Sequence, residues 1–216
     1  NAMRYSVLNG GKRLRPILVY LSSELGDADL DSMDILAGSI ELIHCYSLIH
    51  DDLPSMDDDD LRRGNPTTHK KYDEATAILA GDALQPLAFE LLVTMETSDS
   101  IKISIINNLA KACGHLGMVG GQIKDIHSEN TKTVEALDKM HSQKTGRLIQ
   151  SSLETSGILS GLNPSEIEAL SKYGEKIGLA FQIQDDIIDI ESPSSISGKD
   201  QGSDLELDKI TYPSIV

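Results

Sequence analysis

The sequence predicts an all-α fold, on three observations. Apolar residues recur at helical spacing, cap and stop residues fall at helix-length intervals, and no strand-like alternation persists. The 216 residues suit one large domain or two small ones. Apolar residues make up 39%, enough for a core, although aromatics are only 4%. No internal repeat and no clean domain boundary interrupts the chain.

The elements follow in order. Met3 to Leu8 reads as a helix end stopped by Asn9-Gly10-Gly11. Lys12, Arg13 and Arg15 come next, and Pro16 suits the first turn of a helix from Ile17 to Leu25. Cations at a helix N-terminus oppose its dipole, so an anion bound there has something to offset. A basic surface loop is the other reading. Ser32 to Leu53 forms a long helix on the recurrence of Ile35, Leu36, Ser39, Leu42, Ile43, Tyr46 and Ile49. Gly64 to Thr68 is a turn, and Glu74 to Met95 a helix bent near Gly81 and Pro86. Ile101 to Gly114 and Met118 to Ile126 follow, the latter with Gly120-Gly121 allowing close approach of another helix. Thr133 to Ser160 is one helix. Asn163-Pro164 caps and starts the last, which runs through Asp189 into a Ser/Gly-rich loop holding Lys199.

Charge bounds the function. The chain carries 34 acids against 19 Lys plus Arg, a formal charge of −15. That argues against nucleic acid, which needs positive surface. It does not exclude an anionic ligand, because local cations can reverse the sign in a pocket. Cys45 and Cys113 lie among apolar residues and read as buried thiols of a reducing cytoplasm. No apolar run reads as a membrane span, and none as a signal peptide.

Two acidic clusters carry the chemistry. His50 to Arg63 holds six aspartates in fourteen residues. Asp51 and Asp52 fall at the negative end of a helix dipole, where a cation is needed to hold them. Asp57 lies six positions after Asp51, so the Pro-Ser-Met insertion must bulge for it to rejoin the pair. A solvated acidic loop would explain this run alone. It would not explain Asp185, Asp186 and Asp189, which share one helix face amid Leu179, Phe181, Ile183, Ile187 and Ile188. That apolar company predicts a largely buried helix. Oxygen ligands without His or Cys suit Mg²⁺, which completes its shell with water and phosphate oxygens. Two such clusters with scattered Lys and Arg read as a diphosphate held by Mg²⁺.

These stretches resemble the trans-prenyl diphosphate synthases, and are most similar to the bacterial members that make farnesyl chains. Gly10-Gly11-Lys12-Arg13-Leu14-Arg15-Pro16 matches the family's first basic motif. Asp51-Asp52-Leu53-Pro54-Ser55-Met56-Asp57 matches the first aspartate-rich motif in its longer form, followed by Arg62-Arg63-Gly64. Lys144-Thr145-Gly146, Gly178 to Gln182, Asp185 to Asp189, Lys199, and Lys209 before Thr211-Tyr212-Pro213 match the later motifs. The resemblance implies one polyprenyl synthetase domain over residues 1–216, lacking parts of the family's terminal helices. It also implies a helical bundle around a central cavity and a homodimer. The reaction implied is condensation of isopentenyl diphosphate with an allylic diphosphate.

The resemblance also assigns roles. Asp51, Asp52 and Asp57 would hold two Mg²⁺, and Asp185 with Asp186 and Asp189 a third. Arg62, Lys144, Lys199 and Lys209 would bind the allylic diphosphate. Lys12, Arg15, His44 and Arg63 would bind that of isopentenyl diphosphate, with Thr145 and Gln182 near the reacting carbons. Tyr46 and Ser47, five and four residues before Asp51, would set product length. In the family it resembles, an aromatic at the fifth position together with the two-residue insertion implies a fifteen-carbon stop. A geranylgeranyl synthase is the alternative product reading. A class I terpene cyclase would carry Asn and Ser or Thr in its second metal motif. A non-catalytic partner subunit would lose one motif, whereas both are intact. An acidic Ca²⁺-binding helical protein leaves Lys12, Arg15, Arg62, Arg63 and Lys144 unexplained.

Overall fold

The computed structural model describes residues 1–127, 133–191 and Tyr212. Helices α1 (Ala2–Val7), α2 (Leu14–Ser23) and α3 (Leu30–Asp51) come first. A hairpin of two short strands, β1 (Leu61–Arg62) and β2 (Asn65–Pro66), leads to α4 (Thr68–Lys71). Next come α5 (Glu74–Val93), α6 (Asp99–Cys113), α7 (Met118–Ile126) and α8 (Val134–His141). A π-helical turn, Ser142–Gly146, joins α8 to α9 (Arg147–Leu159), and α10 (Pro164–Glu191) closes the described bundle. The all-α expectation holds, with the hairpin its one departure among the described residues.

Helix α3 is the centre. Asp29 caps it by accepting the Ser32 N–H at 2.8 Å, so it starts a turn's fraction earlier than the apolar pattern suggests. Leu36, Ile40 and Ile43 are fully buried, and Met33, Ala37, Tyr46 and Ile49 nearly so. The burial goes almost all round, because α2, α5 and α9 all pack on it. The stripe read from sequence caught one side and missed Met33, Ala37 and Ile40. Against it α5 sets Ala77, Leu84, Ala88 and Leu92. Small residues on that face let two long helices approach closely.

Two expectations need correction. Helix α5, with Pro86 inside it, is long and apolar enough to cross a membrane by length and composition, which the sequence reading denied of any segment. Its inner face packs on α3, and Asp82 and Glu90 lie within it. Helix α10 is not largely buried: Leu179, Phe181, Ile183 and Ile188 are half-buried and Ile187 is 39% exposed. Among the described residues it packs mainly on α9 and the π turn, with a smaller contact to α8. Its start is as expected, with Asn163 accepting from the N–H groups of Ser165 and Glu166 at 3.0 and 3.1 Å. The Glu166 carboxylate accepts the Asn163 N–H at 2.8 Å, closing a capping box. Cys45 and Cys113 are buried free thiols, as read.

Candidate active site

Helix α3 delivers Asp51 and Asp52 at its C-terminal end. The chain then turns on itself. Met56 and Asp58 donate their N–H groups to the Leu53 carbonyl at 2.8 and 3.1 Å, and Asp58 takes a left-handed φ of 51°. Asp57 thereby returns to Asp51, whose carbonyl accepts the Asp57 N–H at 3.0 Å. This is the bulge the insertion required.

Cations meet these carboxylates from elsewhere in the chain. Lys144 Nζ lies 3.4 Å from Asp51 Oδ1 and 2.6 Å from Asp125 Oδ2. The Gln122 side-chain amide also donates to Asp51. Arg62 Nε donates to Asp52 at 2.8 Å, and its Nη2 reaches Asp59 at 3.3 Å. Burial alone would lower the pKa of Lys144, but Asp51, Asp125 and Asp57 reverse that and raise it. Burial opposes the charge of Arg62 too, and Asp52, Asp51 and Asp59 raise its pKa in the same way. Both stay cationic beside the negative end of α3.

The hairpin separates two adjacent arginines. Arg62 pairs with Asn65 across the strands, and Arg63-Gly64 forms the two-residue loop. Both loop residues have positive φ, 55° and 73°, as a tight hairpin twist demands. The conformation costs a non-glycine residue about 1–3 kcal/mol. Here it sends Arg63 away from the aspartates, to donate to the Gly10 carbonyl. The Gly11 backbone lies against that guanidinium: a Cβ there would sit 2.3 Å from the Arg63 carbon.

Arg63 thus joins the first basic motif. Arg15 is buried, and among the described residues its Nε has no hydrogen-bond partner. Burial pushes its pKa down to about 10, Glu41 and Asp185 partly offset this, and Arg63 adds to it. His44 faces the same group. Burial first, then Arg15, Arg63, Arg62 and Arg13, hold its pKa well below 6.5, so it is neutral. Lys12 Nζ sits 5.5 Å above the Phe181 ring of α10. Arg13, the third cation of the predicted cradle, is spent elsewhere: it pairs with Glu41 and donates to the Val7 carbonyl.

The π turn places the next two residues. The sequence reads as one helix from Thr133 to Ser160, whereas Ser142–Gly146 is wound with π geometry. Such one-turn insertions recur at functional sites because they redirect side chains within a helix. Two glycines clamp this one. A Cβ on Gly121 of α7 would lie 2.2 Å from the Lys144 nitrogen, and one on Gly178 of α10 2.7 Å from Gly146 Cα. Thr145 Oγ1 donates to Gln182 Oε1 on α10 at 2.9 Å. Asp185 follows one turn on, half-buried. Asp186 and Asp189 lie on the α10 backbone, but their side chains are outside the described residues, as are Lys199 and Lys209. Tyr46 is 5% exposed, its ring edge-on to His50 at 5.8 Å, while Ser47 Oγ donates to the His44 carbonyl at 2.8 Å.

The structure therefore brings together Asp51, Asp52, Asp57, Arg62 and Lys144 as one cluster, and Arg15, His44 and Arg63 as another. Among the described residues no three His, Cys, Asp or Glu side chains converge on a common metal position. The all-oxygen donor set suits a cation that takes one or two carboxylates and completes its shell with water and phosphate. Sequence reading missed Gln122, Asp125 and Asp59. Gln122 and Asp125, at i and i+3 of α7, carried a signal: a shared helix face directly after the two glycines that seat it.

A polyprenyl synthetase family model matches residues 1–216. The chain is 50% identical to a farnesyl diphosphate synthase of Haemophilus influenzae, covering 100% of this chain and 74% of that one. It is 48% identical to the farnesyl diphosphate synthase of Escherichia coli, over 99% of this chain and 73% of the relative. A crystal structure of a Helicobacter pylori geranyltransferase complexed with magnesium and isoprenyl diphosphate superposes with a TM-score of 0.91. That chain is 40% identical, and the match covers 100% of this chain and 73% of that one.

Proposed function

The chain belongs to the polyprenyl synthetase family and is a trans-prenyltransferase of the farnesyl diphosphate synthase type, and we propose that its two charged clusters hold its two diphosphate substrates. The separation of Arg62 from Arg63 by the hairpin is the observation that carries this division. The cluster at the end of α3 takes the allylic diphosphate. Arg62 and Lys144 bind its oxygens, and Lys199 and Lys209, outside the described residues, are assigned to the same diphosphate by their motifs alone. Asp51, Asp52 and Asp57, with Asp185, Asp186 and Asp189, are the residues that would hold Mg²⁺, three ions per site. Bound there, Mg²⁺ supplies the Lewis acidity that draws electrons onto the departing diphosphate.

Lys12, Arg15, His44 and Arg63 take the diphosphate of isopentenyl diphosphate. Arg15 Nε, buried without a partner among the described residues, has a donor to give to it. With both diphosphates held, the isopentenyl double bond sits against the allylic C1. The allylic carbon–oxygen bond breaks first, giving diphosphate and an allylic carbocation, and the double bond then attacks that cation to form the new carbon–carbon bond. Lys144 and Arg62 stabilise the charge growing on the departing oxygen. Thr145 and Gln182 line the space where positive charge passes between carbons, and the departing diphosphate removes the proton. The working enzyme is a homodimer in this reading.

Product length rests on Tyr46. It stands five residues before Asp51, about 1.4 turns and about 7.5 Å along the axis at 1.5 Å per residue. Its ring is buried against His50, and His50 is fixed by its contact with the Ile78 carbonyl at 3.0 Å. A Cβ on Gly81 would lie 2.2 Å from His50 Nε2, so the imidazole that backs Tyr46 lies directly against the α5 backbone. Incubation with labelled isopentenyl diphosphate, geranyl diphosphate and Mg²⁺ is expected to give the fifteen-carbon product, and Tyr46→Ala products of twenty carbons or more. A twenty-carbon product from the wild type, or an unchanged distribution in Tyr46→Ala, overturns the chain-length reading.

A further inference from the structure

Both cations of the α3 cluster share a design. Lys144 lies between Asp51 and Asp125, and Arg62 between Asp52 and Asp59. In each case one carboxylate belongs to the aspartate-rich motif and the other does not. The difficulty this solves is physical. A lysine held only by Asp51 would compete with any metal for that carboxylate. Once the metal won, the ammonium would be left half-buried without a counter-ion, which is costly.

We propose that Asp125 is a positioning residue that keeps Lys144 aimed into the site after Asp51 turns to metal. The inference rests on the reading of Asp51 as a metal ligand. Asp125 is 7% exposed and is the nearer partner, 2.6 Å against 3.4 Å. Its place relative to Lys144 is fixed through the backbone. The Gly121 contact lays α7 directly on the π turn that carries Lys144, so carboxylate and ammonium move as one unit. Asp51 sits on α3, a different element, and can exchange its partner independently. The ammonium has three donors. One spent on Asp125 leaves others for diphosphate oxygens.

The Gln122 amide completes the arrangement. It donates to Asp51 from the same helix as Asp125. Helix α7 therefore supports both members of the pair, the carboxylate through Gln122 and the cation through Asp125.

The test is calorimetric titration of the full chain with inorganic diphosphate in Mg²⁺, which needs no turnover. Asp125→Asn is expected to weaken binding by roughly ten- to a hundredfold, the usual loss for a charge-assisted contact. Its KM for isopentenyl diphosphate should stay at the wild-type value, and Asp125→Glu should recover part of the loss. In a Lys144→Ala background, Asp125→Asn should cost nothing further, because the residue acts through the lysine. Wild-type affinity in Asp125→Asn, or a second full loss in the double variant, overturns the proposal. If the single variant fails to fold, the double variant against Lys144→Ala still decides. Asp51→Asn separates the two readings. If it binds Mg²⁺-diphosphate normally, the metal assignment fails. If it is defective while Asp125→Asn is normal, only this proposal fails.

Discussion

At the end of α3 every cation faces a carboxylate, whereas across the site Arg15, His44 and Arg63 face one another. In the first cluster both cations are paired. Lys144 and Arg62 are held charged by Asp51, Asp52, Asp57, Asp59 and Asp125, and these carboxylates outnumber them at the negative end of the α3 dipole, which leaves room for metal. The second is built under tension, with two guanidinium groups beside an imidazole kept neutral by burial first and by these groups second, and Glu41 and Asp185 as partial relief for Arg15. The difference has a functional sense. The first cluster must exchange partners when metal and diphosphate arrive, so its charges are stored in ion pairs. The second only has to receive one dianionic or trianionic group, so its charges are left waiting for it.

The sharpest way to break this comparison is to remove a carboxylate. Asp51→Ala deprives Lys144 of one partner and any metal of a ligand, and turnover should fall by orders of magnitude in a protein that remains folded. Asp185→Ala should do the same from α10, and it also removes part of the relief for Arg15. Steady-state rates with the fold checked by circular dichroism decide it. Near-normal turnover in either variant removes the metal assignment.

Swapping the attack to the cations sharpens the division. Lys12→Ala or Arg15→Ala should raise the KM for isopentenyl diphosphate by roughly ten- to a hundredfold, and Lys144→Ala that for the allylic substrate. Arg15→Met should also melt no lower than the wild type without ligand, since it replaces a buried, poorly compensated charge by an apolar side chain of similar length. A Lys12→Ala variant altered only in its allylic KM would reverse the two sites.

How far the sequence discloses this site depends on whether each residue acts through its local pattern. Asp51, Asp52 and the bulge that returns Asp57 were legible because a dipole, a proline and a spacing fix them within ten residues. The separation of Arg62 from Arg63 was not. It depends on Arg63 entering a left-handed conformation that glycine or asparagine would normally occupy, in a loop read only as a turn. The π turn was invisible for a different reason. Its five residues sit inside an otherwise continuous helical pattern without a proline to mark a break, and the extra residue is stabilised by Gly121 and Gly178 from other helices. Gly120-Gly121 had been read as a place of close approach, and Gly121 is one. What it approaches, the backbone of Lys144, is a fact of tertiary packing. Burial of α10 was over-read because an apolar sequence fixes what a helix prefers to hide and not what covers it.

The smallest predicted effect probes the tension in the basic pocket through pH. His44 has a folded-state pKa well below 6.5, lowered by burial and by Arg15, Arg63, Arg62 and Arg13. The unfolded chain therefore binds a proton there before the folded one does. Its share of stability is fully present above pH 6.5 and is lost as pH falls below that value. His69 adds to the slope with the same sign, since burial and Lys70 lower its pKa. In ligand-free protein, His44→Gln should flatten the fall in Tm between pH 7 and pH 5.5 by roughly 2–4 °C, about one kcal/mol for a chain of this size. A bound diphosphate reverses the local sign, because its negative charge favours imidazolium beside it. With isopentenyl diphosphate present, the wild type should lose less Tm over the same range than it does alone, and His44→Gln should show no such gain. Parallel melting curves for wild type and His44→Gln, with and without ligand, would place His44 outside the pocket's charge balance and leave Arg15 and Arg63 as its only strained members.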